Sequence, residues 1–258
     1  MLIPITSRDN KTVKLVRALE RKKERVKRGL YFAEGVRLVK EAVRDAEEDI
    51  QFILVSSSFA EKNEFFINSL DESGKTVYTA KDVIFQSMCR TETPQGIGAV
   101  LKMRPTQNQW MGTERYILLI DGVSDPGNLG TMIRTAEAAG VDKVCIFEGS
   151  ADLYNPKTVR ATMGSLFRVP FWIGSAEEIF PELKRLGFQI FAAALHHSVP
   201  AETVEIPLKR AVVIGSEARG VSETVLQMAD TCVRIDMKGR VESLNASVAA
   251  GILLYQFK

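Results

Sequence analysis

Two short runs in the second half of the chain are apolar at almost every position. They read YILLI at residues 116–120 and AVVIG at residues 211–215. A strand with one face in water alternates polar and apolar residues, so a run without alternation indicates burial on both faces. Such strands are typical of parallel sheets, whose crossover helices cover both sides. The sequence therefore favours a parallel α/β sheet in this half of the chain.

Strand and helix patterns alternate throughout this second half. The strands are predicted at residues 116–121, 143–147, 189–193, 211–215 and 231–235. The helices are predicted at residues 128–139, 156–163, 176–186, 222–228 and 244–257. The alternation predicts a layered α/β domain over residues 115–258.

A shorter alternating series precedes this domain. Its predicted strands read LYFAEG, QFILVS, TVYTA and GIGAVLK, and its predicted helices cover residues 36–46, 59–70 and 81–89. The pattern predicts a compact α/β domain over residues 1–103. The next segment, residues 104–114, has a proline near its start, is polar and lacks periodic apolar residues, so we interpret it as a linker.

The first 28 residues are strongly basic. They contain ten Lys or Arg residues and three acidic residues, a local charge of +7, whereas the whole chain has a net charge of +2. Val13, Val16, Leu19 and Val26 form a partial helical stripe, and Asn10 is a good helix cap. The pattern predicts a basic amphipathic helix. Two interpretations stay open, a solvated helix face and a contact with nucleic-acid phosphates.

Several classes of protein are disfavoured by what the sequence lacks. Cys89, Cys145 and Cys232 are far apart and form no C-x-x-C pair, and the histidines His196 and His197 are adjacent. We therefore expect neither a disulfide framework nor a metal site. No apolar run approaches the ~18 residues of a membrane-spanning helix, so we expect a cytoplasmic protein without membrane contact.

Common nucleotide motifs are also absent. GIGAVL at residues 96–101 lacks the third glycine of a dinucleotide fingerprint and lies on a predicted strand. GSEARGVS at residues 215–222 has the glycine spacing of a P-loop, but Val221 stands where the phosphate-binding lysine is required. NTP hydrolysis and nicotinamide-dependent redox chemistry are therefore disfavoured.

Three polar segments with glycines each follow a predicted strand directly, at residues 121–140, 215–222 and 235–247. Ligands of open α/β sheets bind at the carboxyl ends of strands, so these segments predict a site. In the first, Asn128 is either a helix cap or a functional residue. Arg134 suits bidentate phosphate recognition, and the alternative is a surface ion pair with Glu137.

The other two segments contribute further candidates. Gly215 and Gly220 allow close approach of the backbone to a ligand, with Glu217 between them as a polar partner or a solvated turn residue. Ser243 is a good helix cap, whereas Asn245 is a poor helix former, which favours a functional role. The following helix is apolar and has small side chains, so we expect it to pack against the core or a partner subunit.

Together these blocks resemble the SpoU (TrmH-like) family of RNA ribose 2′-O-methyltransferases in the SPOUT superfamily. DGVSDPGNLGTMIRTAEAAGV resembles the first family motif, and NPKTVRATMGSLFRVP resembles the segment after it. VVIGSEARGVS and VRIDMKGRVESLNASVAAGILLYQ resemble the second and third motifs. FAEGVRLVKEA and the series after it resemble the ribosomal-protein-like α/β/α substrate-binding domain often fused in front. The resemblance covers nearly the whole chain.

The resemblance implies a fold and a cofactor. The second domain would be a parallel sheet whose C-terminal segment forms a trefoil knot, an exception to the rule that chains are unknotted. S-adenosyl-L-methionine would bind in the knot, mostly through backbone groups, near Leu195, Gly215, Ile235, Met237 and Leu244. Family members are generally homodimers with an active site near the subunit interface.

The resemblance also implies an activity, the transfer of a methyl group to a ribose 2′-hydroxyl. The front domain favours 23S rRNA as substrate; a tRNA methyltransferase and a catalytically silent RNA-binding protein are the alternatives. Arg134 would clamp an RNA phosphate, because an arginine is a poor base. Asn128, Ser243 and Asn245 would hold the ribose and the loops, and Glu217 would organise the second-motif loop.

Overall fold

Two sheets, one in each of two units, organise the part of the chain described by a computed structural model, residues 2–72 and 74–258. The first unit comprises the chain up to Arg104 together with Tyr154–Phe167, and the second comprises Pro105–Leu153 and Arg168–Lys258. The elements up to Arg104 are β1 (Ile3–Ile5), α1 (Lys11–Ala18), α2 (Lys22–Arg28), β2 (Leu30–Glu34), α3 (Val36–Asp45), β3 (Ile50–Ser56), α4 (Ser57–Lys62), α5 (Glu64–Glu72), β4 (Val77–Ala80), α6 (Asp82–Gln86) and β5 (Ile97–Lys102). The later elements are β6 (Tyr116–Asp121), α7 (Pro126–Ala139), β7 (Lys143–Phe147), α8 (Pro156–Thr162), β8 (Phe171–Gly174), α9 (Ala176–Arg185), β9 (Gln189–Ala193), β10 (Val199–Pro200), β11 (Arg210–Gly215), α10 (Glu223–Met228), β12 (Thr231–Arg234) and α11 (Ala246–Gln256).

The sheet of the first unit is mixed, with the strand order β1-β4-β3-β5-β2. β1, β4 and β3 run parallel, whereas β5 lies antiparallel between β3 and β2. Buried side chains of the N-terminal helical region, Val13, Val16 and Leu19, pack in one cluster with Leu54 and Val100 of the sheet. The apolar stripe predicted for this region is therefore part of the core.

The expected single basic helix is wrong, because the chain bends between α1 and α2. Arg25 is 2% exposed, and its guanidinium donates to the carbonyl oxygens of Leu19 at 2.8 Å and Glu20 at 2.7 Å. These hydrogen bonds stabilise the bend. In a continuous helix, the same two carbonyl oxygens would accept from backbone N–H groups of the next turn. Val26, which was predicted in the stripe, is exposed. Lys22 and Lys23 at the start of α2 are also exposed.

The sheet of the second unit has the strand order β10-β12-β9-β11-β6-β7-β8, and every neighbouring pair is parallel. The predicted parallel α/β fold is confirmed. Because all the strands run in the same direction, the loops that follow β6, β9, β11 and β12 all lie at one edge of the sheet, the edge formed by the carboxyl ends of the strands. Among the described residues, no helix combines the length and the apolar character that crossing a bilayer demands.

The division of the chain differs from the predicted one at two places. Tyr154–Phe167 was expected in the second domain, but it groups with the first unit, where the ring of Tyr154 packs at a tilt against that of Tyr31 with centroids 4.8 Å apart. The expected linker is also not free. From Pro105 onward it packs on the second unit, where the Gln109 carbonyl accepts from the Lys143 ammonium at 2.6 Å. Burial of this lysine requires such acceptors.

Candidate active site

The first polar segment begins α7, and its cap is Asp125. The Asp125 carboxylate accepts from the Asn128 backbone N–H at 2.9 Å, and Pro126 occupies the first helical position. The interpretation of Asn128 as the helix cap is therefore wrong. Its side chain is directed elsewhere: Nδ2 donates to the Glu217 carboxylate, and Oδ1 accepts from Asn245 Nδ2 at 3.2 Å. Asn128 thus links all three polar segments.

The third polar segment begins α11 at Asn245. Asn245 Oδ1 accepts from the backbone N–H groups of Ser247 at 2.9 Å and Val248 at 3.3 Å, which makes it the helix cap. The expectation that Ser243 caps this helix is wrong, because the helix starts two residues later. Asn245 combines two roles, since its oxygen caps the helix while its nitrogen binds Asn128. We call the hydrogen-bonded side chains of Glu217, Asn128 and Asn245 the amide relay.

The second polar segment folds back on itself after β11. Ser216 and Gly220 exchange two backbone hydrogen bonds of 3.0 and 2.9 Å, which close the turn around Glu217. A side chain at Gly215 has no room, because a Cβ there would lie 2.1 Å from the Gly220 carbonyl carbon and 2.1 Å from the Val221 nitrogen. The glycine at this position is therefore required by close backbone approach rather than by its dihedral freedom.

Asp121 is a functional candidate that the sequence reasoning did not single out. It ends β6, and its carboxylate accepts from the Ser222 backbone N–H at 2.7 Å. This bond fixes the far end of the Glu217 turn to the neighbouring strand. The available signal was an acidic residue at the end of a buried apolar run, within the quoted first motif.

A cavity of about 790 Å³ opens beside the amide relay. All five residues expected at the cofactor line it, as do two of the expected catalytic residues: Leu195, Gly215, Ile235, Met237, Leu244, Glu217 and Ser243. The volume lies within the range of roughly 300–1,000 Å³ that small-molecule pockets have. His196 and His197 also line it, and His197 adopts a left-handed φ of 52°.

The lining of this cavity suits a flat ligand that carries a positive centre. Leu195, Ile235 and Leu244 give it apolar walls. Its charged lining consists of three carboxylates and two guanidinium groups, a net negative charge: Glu217, Glu223, Glu242, Arg219 and Arg234. Apolar walls with a few placed polar groups are the usual design of a cofactor site. S-adenosylmethionine, with a flat adenine and a cationic sulfonium, matches that lining.

Arg134 stands apart from these groups. It is exposed on α7, six residues after Asn128 and so roughly 120° around the helix from it. It does not line the cavity, and it forms no ion pair or hydrogen bond within residues 2–72 and 74–258. The alternative pairing with Glu137 is wrong, since Arg168 Nη2 donates to Glu137 Oε2 at 3.0 Å. The guanidinium is left available to a ligand.

Two family models match the chain. The SpoU rRNA Methylase family matches residues 115–255, and the MRM3-like substrate binding domain matches residues 10–99. The chain is also 38% identical over 254 residues to a 23S rRNA (guanosine(2553)-2′-O)-methyltransferase, RlmP, of Bacillus subtilis, with 98% of each chain covered.

Solved structures give the same picture. The chain is similar to an AdoMet-bound rRNA methyltransferase from Sinorhizobium meliloti, with a TM-score of 0.87, 28% identity, and coverage of 99% of this chain and 97% of that one. It is also similar to the SpoU methyltransferase AviRb from Streptomyces viridochromogenes in complex with AdoMet, with a TM-score of 0.84, 25% identity and 96% coverage of both chains.

Proposed function

The chain belongs to the SpoU rRNA methylase family, and on that basis we propose that it transfers the methyl group of S-adenosylmethionine to a ribose 2′-hydroxyl of 23S rRNA. One observation supports this proposal most directly. The large cavity, with its apolar walls and carboxylates, adjoins a relay of three side chains that can hold a ribose hydroxyl. The two parts of a methyl-transfer site, a donor pocket and an acceptor-binding group, thus lie on one sheet edge.

The cofactor pocket would work mainly through shape. When bound, S-adenosylmethionine supplies an activated methyl group on a sulfonium centre. Leu195, Ile235 and Leu244 would sandwich its flat part, and the absent side chain at Gly215 would let the backbone approach it. Met237 and the backbone of the loops would complete the pocket, in the C-terminal segment for which a trefoil knot stays a prediction.

The acceptor side would work by positioning. Asn128, Asn245 and Ser243 would orient the ribose, and Glu217 would hold the second-motif loop against Asn128. Arg134, with a guanidinium that stays protonated, would bind an RNA phosphate and fix the hydroxyl in line for attack. The hydroxyl proton would then leave to a phosphate oxygen or to water.

The proposed activity is tested by supplying labelled S-adenosylmethionine with 23S rRNA, 16S rRNA and tRNA from cells that lack this protein. We expect label in 23S rRNA, resistant to alkaline hydrolysis at one phosphodiester bond because the 2′-oxygen is blocked. Label in tRNA alone would transfer the activity to that substrate. Label in none of these RNAs would refute the proposal.

We also infer a cytoplasmic location, because the proposed substrate is ribosomal RNA. We further infer that the protein acts as a homodimer. Val248, Ile252 and Tyr255 lie at helical spacing along one face of α11, and each is between 41% and 55% exposed. An exposed apolar stripe of this kind favours association with a second copy. α11 packs on α7, which carries Arg134, so a dimer through this face would bring Arg134 near the partner.

Replacing Ile252 by arginine is expected to convert the dimer to a monomer, because the charge would be buried in the contact without a partner. Light scattering coupled to gel filtration measures the change in mass. Val83→Arg is a matched control, since Val83 is 62% exposed but lies in the first unit. A dimer that survives Ile252→Arg, or that Val83→Arg also breaks, would contradict this interface.

Reversing the charge of Lys22 and Lys23 to glutamate is expected to weaken RNA binding and to flatten its salt dependence. Two lost phosphate contacts reduce the slope of log K against log salt by roughly 1.5. Filter binding of a 23S rRNA fragment at several salt concentrations measures that slope. The double reversal Lys184→Glu, Arg185→Glu on α9 is the control, because it makes the same change in net charge. If both double variants reduce the slope equally, α2 makes no specific contact with RNA and is only a solvated helix face.

A further inference from the structure

A second cavity, of about 380 Å³, lies wholly within the first unit. It opens where the parallel strands β3 and β4 end, the edge of an α/β sheet at which ligands bind. Its walls come from α4 and the residues on either side of it, from α6 and from residues 92–96. We call this cavity the N-terminal cleft. Neither the proposed methyl transfer nor the phosphate contact proposed for α2 uses it.

The N-terminal cleft has an apolar floor and amide walls. Phe59 and Phe85, which are 8% and 1% exposed, form the floor. Asn63 Nδ2 donates to the Phe59 carbonyl at 2.9 Å, and Gln86 Nε2 donates to the Glu92 carbonyl at 3.3 Å. Both amide groups are thereby anchored by their nitrogens. Among the described residues, nothing donates to either amide oxygen, so both oxygens are available as acceptors.

The charges of the cleft disfavour a phosphate. Lys62 contributes one positive charge, whereas Asp82 and Glu92 contribute two negative ones. The Asp82 carboxylate is held in place by the Ser58 backbone N–H at 3.2 Å and the Ser58 hydroxyl at 3.0 Å. The acceptors in the walls call for a ligand with N–H donors, and the apolar floor calls for a flat, neutral group.

An unstacked nucleobase with an exocyclic amino group has this chemistry. Sequence-specific recognition of RNA reads splayed bases by apolar contact and by hydrogen bonds to their edges. We propose that the N-terminal cleft binds one such base, adenine, cytosine or guanine, of the RNA substrate. The proposal rests on the proposed function, because the base belongs to the RNA substrate of that reaction. It gives the first unit a role in the specificity for RNA as well as in the affinity.

The first test separates substrate recognition from catalysis. Asn63→Leu and Gln86→Leu remove the acceptors, and each is expected to raise KM for a 23S rRNA transcript roughly ten-fold with kcat unchanged, which is the effect of one lost base contact. Gln51→Leu is the matched control, because Gln51 is exposed at the opposite end of β3. Equal KM values for all three variants would overturn the proposal. Absence of activity in the wild type would instead refute the proposed function.

The second test needs neither activity nor a variant. The full chain, saturated with S-adenosylhomocysteine to occupy the large cavity, is titrated with adenosine, cytidine, guanosine and uridine. We expect the side-chain amide resonances of Asn63 and Gln86 to shift with the three amino-bearing nucleosides, and several-fold less with uridine. No shift with any nucleoside, or the same shift with inorganic phosphate, would overturn the proposal.

Discussion

Replacing Arg134 by alanine is expected to lower kcat for methyl transfer at least 100-fold while leaving the affinity for S-adenosylmethionine largely unchanged. Removal of one preorganised hydrogen-bond donor that acts in the transition state costs about 10²–10³ in rate. The cofactor is unaffected because Arg134 does not line the cavity. Single-turnover methylation of 23S rRNA measures the rate, and isothermal titration measures the affinity.

Arg115→Ala is the matched control for this variant. Arg115 is also exposed, but it precedes β6 and so lies at the opposite end of that strand from the polar segments. The free energy of unfolding should be the same for both variants, because neither guanidinium is buried. Arg134→Lys separates charge from geometry, since lysine keeps the charge but loses the bidentate fork. Normal turnover by Arg134→Ala would remove Arg134 from the mechanism.

Much of the fold follows from local sequence patterns. Three of the five strands predicted in the second unit, β6, β7 and β9, have the predicted bounds, because buried apolar runs end sharply at polar residues. The strands that were not predicted are short: β1, β8 and β10 have three, four and two residues. Such runs lack the length that makes alternation or continuity visible.

Long-range contacts account for what local patterns missed. The bend between α1 and α2 depends on the burial of Arg25, which no charge pattern indicates. The transfer of Tyr154–Phe167 to the first unit depends on packing against β2, more than 100 residues earlier. Periodicity reports which residues are buried but not which partner buries them.

The site was predictable in its parts and less so in its connections. Strand-end loops indicated the edge of the sheet at which the cavity opens, and the resemblance supplied residues that line this cavity. The Asn10 cap of α1 is confirmed, whereas the cap of α11 was wrongly assigned to Ser243 and that of α7 was left open at Asn128. Asp, Asn and Ser all cap well, so the choice depends on where the helix starts. The correct caps, Asp125 and Asn245, are what leave Asn128 free to join the amide relay.

Replacing Gly215 by alanine is expected to abolish S-adenosylmethionine binding and to lower the free energy of unfolding by about 3 kcal/mol, the upper end of the usual cost of overpacking. The added methyl group would lie 2.1 Å from backbone atoms of Gly220 and Val221, which are held in place by the hydrogen bonds of the turn. Relief requires the turn to move, which displaces Glu217 and one wall of the cavity. Calorimetric titration and thermal unfolding measure the two effects.

Gly239→Ala is the matched control for that substitution. Gly239 lies in the loop between β12 and α11, and a Cβ there would meet nothing within 4 Å. We therefore expect neither binding nor stability to change. If Gly215→Ala binds the cofactor as Gly239→Ala does, the close approach at Gly215 does not shape the cavity.

The two damaging variants together test whether the active site is shared between subunits. Arg134 lies on a different side of α7 from Asn128 of the amide relay, and we expect that in the proposed homodimer the arginine of one subunit serves the cavity of the other. Mixing inactive Arg134→Ala and Gly215→Ala chains and allowing exchange would then restore one intact site in each mixed dimer, roughly a quarter of wild-type activity. If each site uses its own arginine, the mixture stays inactive, because every cavity in it lacks either the guanidinium or the cofactor.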